Sequence, residues 1–334
     1  MVTARVNNLP RLPALYAQAR GISDRSIMLF DVGVSRGLDE HWQGLGDVLR
    51  GVGFDPLVAE VERLQSENQN PNVRFVDAFV VGPEDGRPDA DPGVPSDHPF
   101  YRSSAAEATR LLDFDYQKEE FNKGKPVVLS EQRFTLDQYS VDHDVADVDF
   151  IKVDTDGYDF SVLRGAKETL RRCSVLGLGV EVQFHGRLGD RANIFSNIDR
   201  FLREEGFTLF DIDVYRYTRA TLPGRFSYRL FGPTVDGQAQ YGDAVYFRDL
   251  AYTEQMRRFG FDPSPNQILK CACLMEAFGQ NDSATEVLIA HRESLEDHID
   301  VSEWLDALTP DASSYSQHLR RFRSDPRSFM PPER

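Results

Sequence analysis

The sequence is short of cysteine: only Cys173, Cys271 and Cys273 occur in 334 residues. So sparse and odd a set builds no disulfide framework, which fits a reducing compartment. Cys271 and Cys273 are two apart in a stretch that reads as helical, and helical residues at that spacing do not share a face. They are read as buried thiols rather than metal ligands. Positive charge is also scarce, with 38 Lys and Arg against 54 Asp and Glu and a net charge of −16. That balance argues against nucleic acid as the main partner, because no large basic surface is left to meet phosphates. No stretch approaches the roughly 20 apolar residues that cross a bilayer, and no basic segment followed by an apolar run marks a signal peptide. The expectation is a cytoplasmic protein with no membrane span.

What is present is enough apolar residue, 40% of the chain with 11% aromatic, for one large core and an appendage. Residues 1–25 read as a lead-in with a short helix. Strands are predicted over Ser26–Val32, Gly51–Phe54, Val73–Val81, Val148–Val153, Val175–Phe184, Phe207–Asp213 and Ala244–Arg248. Helices alternate with them over about 38–50, 58–67, 160–171 and 194–206. This pattern implies an α/β domain over 26–250 with a mostly parallel, seven-stranded sheet covered on both faces. Gly82 to about Lys125 is crowded with Pro, Asp and Gly and reads as a long loop; its Phe100, Tyr101 and Tyr116 are candidates to cover an acceptor. Residues 251–334 read as a helical extension with a hairpin over about 265–291, broken near Gly279–Asp282. Packing, homo-oligomerisation and a lid or partner-docking role all remain open for it.

The first strand runs into Asp31-Val32-Gly33-Val34-Ser35-Arg36-Gly37. Glycines at both ends let the backbone turn tightly and approach a ligand closely, and a following helix would aim its free amides at the loop. The pattern is D-x-G-x-x-x-G, so the nicotinamide fingerprint G-x-G-x-x-G is not met. An acidic residue leading the loop suits a cationic group, such as the ammonium and sulfonium of S-adenosylmethionine, better than a pyrophosphate. Asp55 closes the second strand, where a carboxylate can accept from both ribose hydroxyls. Asp77 in the third strand is a candidate for the adenine amino group. The cofactor candidates are therefore Asp31, Gly33, Ser35, Gly37, Asp55 and Asp77, with Asp154 added from the fourth strand. Each of these residue types is also common turn chemistry; only their order in a strand-loop-helix-strand context points to a nucleoside.

The stretch Phe150-Ile151-Lys152-Val153-Asp154-Thr155-Asp156-Gly157-Tyr158-Asp159, followed by Val162-Leu163-Arg164-Gly165-Ala166, resembles the F-I-K-I-D-V-E-G-x-E and V-L-x-G-A elements of FkbM-family methyltransferases. Phe54-Asp55-Pro56 is similar to the family's F-E-P, Leu136-Asp137 to its T-L-D, and Glu181 stands where its strand-borne Glu is expected. Asp156 and Asp159 replace glutamates, and Ser35-Arg36 replaces a more usual Asn-Ile pair. The resemblance covers roughly residues 26–250. It implies a Rossmann-like class I methyltransferase sheet, S-adenosylmethionine as cofactor, and O-methylation of a hydroxyl on a sugar, glycolipid or natural-product scaffold.

For such a transfer the protein must align nucleophile, methyl and sulfur and take a proton from the hydroxyl. Asp154, ending the fourth strand, is the first candidate. Lys152, two residues earlier, leaves the same strand face and either orients the acceptor or makes a structural ion pair. Glu181 and His185 mark the end of the fifth strand; His185 could act as a base near neutral pH or simply be solvated. Asp156 reads as a turn cap as readily as a catalytic group. Asp154, Asp156, Glu181 and His185 could be drawn as a magnesium site, but their spacing does not demand one and no metal is predicted. Two other readings stay open: a non-catalytic cofactor-binding or scaffolding protein, and a nicotinamide-dependent oxidoreductase.

Overall fold

A computed structural model describes residues 6–83, 128–186, 188–229, 231–310 and 313–331. From 84 on, the loop expected between Gly82 and Lys125 lies outside the described residues, as do Phe100, Tyr101 and Tyr116. The strands are β1 (Ile27–Val32), β2 (Leu49–Asp55), β3 (Val73–Asp77), β4 (Phe79–Val80), β5 (Arg133–Phe134), β6 (Phe150–Val153), β7 (Gly177–Gln183), β8 (Thr208–Tyr217) and β9 (Gln238–Phe247). Seven of them form one sheet in the order β3-β2-β1-β6-β7-β9-β8, while β4 and β5 pair separately. β1 pairs parallel with β6, β2 with β3 and β6 with β7, and β9 runs antiparallel to both β7 and β8. The order reverses between β1 and β6, so the crevice at their carboxyl ends is where such sheets take ligands.

The chain divides into two compact units. The first holds residues 28–39 and 50–248 and contains the sheet. On one face of the sheet Phe30, Val32, Val52, Phe54, Ile151, Val153, Leu178, Val180 and Val182 pack with Leu136, Leu163, Leu170, Ile198 and Leu202 from helices. The Leu136-Asp137 element shows how three adjacent residues serve three purposes. Thr135 caps its own helix, Leu136–Asp142, by accepting from the Gln138 amide at 3.0 Å. Leu136 is fully buried. Asp137 accepts from the amide and hydroxyl of Thr169 at 2.6 and 2.8 Å, capping the helix Lys167–Arg172. The helix predicted over 160–171 is in fact two, Asp159–Arg164 and Lys167–Arg172, parted at Gly165 and Ala166.

The second unit joins residues 6–27 and 40–49 to the chain from 249 onward. The lead-in is thus not a separate piece. Glu276 accepts from the amides of Arg11 and Leu12 at 2.9 and 2.7 Å, filling the amino end of the helix Leu12–Tyr16. His41 and Trp42 lie against the Phe278 ring at 5.1 and 5.6 Å. The helix predicted over 38–50 shrinks to one turn, Glu40–Gln43, and a 3-10 turn, Gly46–Val48. Gly44 sits so close to Pro10 that a Cβ there would fall 2.5 Å from its Cδ. The expected hairpin is present as Pro265–Ala277 and Asn281–Ala290. Cys271 and Cys273 are fully buried in the first of these helices.

Candidate functional site

The glycine loop leaves β1 at the reversal of strand order. Asp31 and Lys152 are register partners on the parallel strands β1 and β6, so their side chains leave the same face. Lys152 Nζ lies 3.1 Å from Asp31 Oδ1 and 3.6 Å from Asp154 Oδ2, and it donates to the Gly33 carbonyl at 3.0 Å. One buried ammonium therefore ties together strand, glycine loop and the end of β6. Burial works against the charge on Lys152, but Asp31 and Asp154 outweigh it and hold the ammonium well above its usual range. Asp31 is 1% exposed, and burial pushes it up to about 6 despite the lysine. Gly33 has φ +84°, and a Cβ there would meet the Asp154 carbonyl oxygen at 1.8 Å. Only glycine lets the loop cross β6 this closely.

The loop's amides are already engaged. Gly33 and Val34 donate to the Phe54 carbonyl, Gly37 to that of Val34, Arg36 to Glu60 and Ser35 to the Asp55 carboxylate. Arg36 achieves this in the left-handed region, at φ +72°. The expected crown of free amides from a following helix is absent here, because the next helix is a single turn. A loop with its amides engaged in this way, rimmed by carboxylates, suits a cationic ligand and offers little to a pyrophosphate. Asp55 is 4% exposed and also accepts from the Leu57 amide at 2.8 Å; burial raises its pKa. Asp77 is its register partner on β3. The structure thus gathers Gly33, Ser35, Asp55 and Asp77 along one strand edge, with Asp31 beneath.

After β6 the chain turns through Asp156 at φ +51° and Gly157 at φ +107°. The residue that organises this turn is Asp159, which sequence reasoning passed over as a mere replacement for glutamate. Its carboxylate accepts from the Thr155 amide and hydroxyl at 2.8 and 2.9 Å, from the Gly157 amide at 3.3 Å and from Asn193 Nδ2 at 3.0 Å. Asp156 is exposed and occupies the turn without capping it. Asp159 is fully buried, and burial pushes it up to about 6.

Asp154 and Glu181 share a side-chain hydrogen bond. Burial and the charges of Asp159 and Asp154 push Glu181 well up. Burial opposes the Asp154 charge too, but the Lys152 ammonium and the Glu181 bond hold Asp154 low. The proton of the pair accordingly sits on Glu181, which donates to Asp154. Beside Glu181 stands a group of tyrosines that the sequence did not single out. Tyr215 and Tyr241 are stacked 4.7 Å apart, the Tyr217 and Tyr241 hydroxyls are 3.5 Å apart, and Tyr215 donates to Asp243 at 2.9 Å. His185 is held on β9: its Nε2 lies 2.8 Å from the Ala239 carbonyl oxygen, so this nitrogen bears the proton. Among the described residues, no group of three or more His, Cys, Asp or Glu side chains is arranged to hold a metal ion.

These shifts set an expected pH dependence. Asp31 and Asp159 are raised from 3.8 to about 6. A carboxyl raised on folding contributes stability that is complete below the unfolded pKa and lost as pH climbs through the folded one. The window is pH 3.8 to 6, and Glu181 acts in the same direction. Chemical unfolding at pH 5.5 should therefore show a native state about 1–3 kcal/mol more stable than at pH 8. Equal or greater stability at pH 8 would contradict the assignment of these buried carboxyls.

A family model described as the methyltransferase FkbM domain matches residues 31–209, more than half of the chain. No curated protein matches at a significant level. Among solved structures, methyltransferase FkbM from Methylobacillus flagellatus KT is 16% identical, with a TM-score of 0.32, over 72% of this chain and 48% of that one. The chain so spans about half the length of that relative. A precorrin-6y C5,15-methyltransferase from Geobacter metallireducens GS-15 is 10% identical, with a TM-score of 0.32, over 70% of this chain and 86% of that one. A TehB-like S-adenosylmethionine-dependent methyltransferase from Corynebacterium glutamicum is 13% identical, with a TM-score of 0.28, over 71% and 87%.

Proposed function

The chain belongs to the FkbM methyltransferase family, and on that premise we propose that it transfers a methyl group from S-adenosylmethionine to a hydroxyl of a sugar, glycolipid or natural-product acceptor. The observation that carries this reading is the acidic edge at the strand reversal, where Asp55 meets the glycine loop and the Asp154–Glu181 pair closes the neighbouring strand ends. These residues fit the cofactor. Asp55 would hold the ribose hydroxyls and Asp77 the adenine amino group. Gly33, Ser35 and Gly37 would line the approach of the cationic amino-acid end, with Asp31 acting from beneath through Lys152. S-adenosylmethionine supplies, when bound, an electrophilic methyl on a sulfonium.

The chain's own residues have two tasks left. The first is to hold the acceptor hydroxyl in line, which can contribute about 7–11 kcal/mol. The second is to receive its proton. Asp154 Oδ is the acceptor of that proton, with Lys152 and the Glu181 hydroxyl fixing its orientation. A weak base suffices, because the hydroxyl becomes strongly acidic as its bond to carbon forms. His185, with its protonated nitrogen held on a carbonyl, acts as a positioning group on the acceptor side.

Thermal shift with adenosylhomocysteine, S-adenosylmethionine and NAD in parallel tests the reading. A ligand at 100 times its Kd adds about 2.7 kcal/mol of stability, expected for the first two and not for NAD. Asp55→Ala should weaken adenosylhomocysteine about 10- to 100-fold, the worth of hydrogen bonds to a charged group. Unchanged affinity would remove the ribose assignment, and stabilisation by NAD alone would overturn the cofactor.

A further inference from the structure

At the far end of the pair β7 and β9 lies a corner built of carboxamides that the proposed chemistry does not use. Gln183 ends β7, in register with Tyr241 on β9. Phe184 donates to the Gln240 carbonyl at 3.0 Å, and His185 contacts Ala239 and the Gln238 amide at 2.8 and 3.1 Å. Gln240 is the extra residue of a bulge, since β8 passes from Tyr215 to Arg216 while β9 passes from Tyr241 to Ala239. Bulges of this kind re-aim side chains beside binding sites. Gln240 is only 2% exposed and Gln183 8%. Yet among the described residues neither Oε1 nor Nε2 of Gln240 has a hydrogen-bond partner, and Gln183 Oε1 has none. Exchanging oxygen and nitrogen on Gln240 leaves it just as orphaned.

A buried carboxamide without partners is costly to the fold, and two at one corner, next to Glu181 and a tyrosine cluster, point to a ligand. We propose that Gln183 and Gln240, with His185 and Tyr241 beside them, form the acceptor subsite and select a neutral, hydroxyl-rich ring. The inference rests on the methyl-transfer reading and names what that site takes. Carboxamides both donate and accept, which matches hydroxyl groups in either role. They carry no charge, and the adjacent carboxylate of Asp243, which accepts from Tyr215, disfavours an anion. Tyrosine rings at the same corner suit the apolar face of a pyranose.

Saturation-transfer NMR is run on the full chain saturated with adenosylhomocysteine. The probes are the methyl pyranosides of glucose, galactose, mannose, rhamnose and fucose, with methyl glucuronoside as the anionic arm. At least one neutral pyranoside should bind, with the glucuronoside about tenfold weaker or worse. Gln240→Met and Gln183→Met should each weaken that pyranoside about 3- to 10-fold and leave adenosylhomocysteine affinity unchanged. Because each removes an unsatisfied buried group, Tm should stay level or rise by about 2–4 °C. Binding of no pyranoside, or equal binding by wild type and both variants, overturns the subsite. So does a fall in Tm in both variants, which would give the amides a structural task. Failure of adenosylhomocysteine itself to bind instead overturns the methyl-transfer reading beneath it.

Discussion

Asp154→Asn should slow methyl transfer about 10²- to 10⁴-fold, the usual worth of a positioned proton acceptor, while adenosylhomocysteine affinity changes by no more than about threefold. The amide keeps the size of the carboxylate and can still accept from Lys152 and from Glu181, so the strand end should hold its shape. What it loses is the capacity to take a proton. The substitution also removes one of the charges that, after burial, hold Glu181 up, so the Glu181 pKa should fall in the variant. Glu181→Gln is the informative partner: it still donates to Asp154 and should lose much less, about tenfold. Both are read as the rate of adenosylhomocysteine formation with a pyranoside that binds. Full turnover by Asp154→Asn would remove Asp154 from the proton transfer. A larger loss in Glu181→Gln than in Asp154→Asn would reverse their roles.

Much of this site is legible in the chain because its parts are local. The strands β1 and β6 announce themselves as short apolar runs ending in Asp, and Gly33 follows from the need to turn at once. Asp55 is readable as a strand end. What could not be read depends on which strands are neighbours. The pairing of Asp31 with Lys152 exists only because β1 and β6 are adjacent and in register, and no spacing along the chain encodes that.

The same limit explains β8 and β9. Sequence patterning stopped β8 at Asp213 and began β9 at Ala244, because Asp211, Asp213, Gln238, Gln240 and Asp243 interrupt the apolar run. The strands instead cover Thr208–Tyr217 and Gln238–Phe247. Their polar residues are strand residues whose partners lie across the sheet, and the missed stretch is where the tyrosines and the carboxamide corner sit. The lead-in was set apart for a related reason. Nothing near Arg11 in the chain signals that Glu276 will cap its helix, although both residues are ordinary in their own segments.

Lys152→Met is expected to cost about 3–5 kcal/mol of stability at pH 7, as breaking one side of a buried ion pair does. Part of that loss comes from Asp31. Deprived of its ammonium at 3.1 Å and 1% exposed, the carboxyl will protonate rather than stay charged. Burial already holds that carboxyl up at about 6 in the wild type, so each pH unit above 6 at which it must keep its proton costs about 1.4 kcal/mol. That part is about 1.4 kcal/mol at pH 7 and nearly nothing at pH 5.5, so the defect should shrink with acid. A second change separates charge from packing. Asp31→Asn in the Lys152→Met background removes the stranded carboxyl, and the double variant should recover that part of the loss. Chemical unfolding of the four proteins at both pH values measures all of this. A Lys152→Met protein as stable as wild type would mean that the pair contributes nothing to the fold. A deficit that neither shrinks at pH 5.5 nor recovers in the double variant would assign Lys152 a packing task, leaving the junction of β1, the glycine loop and β6 to be held by the Gly33 contact alone.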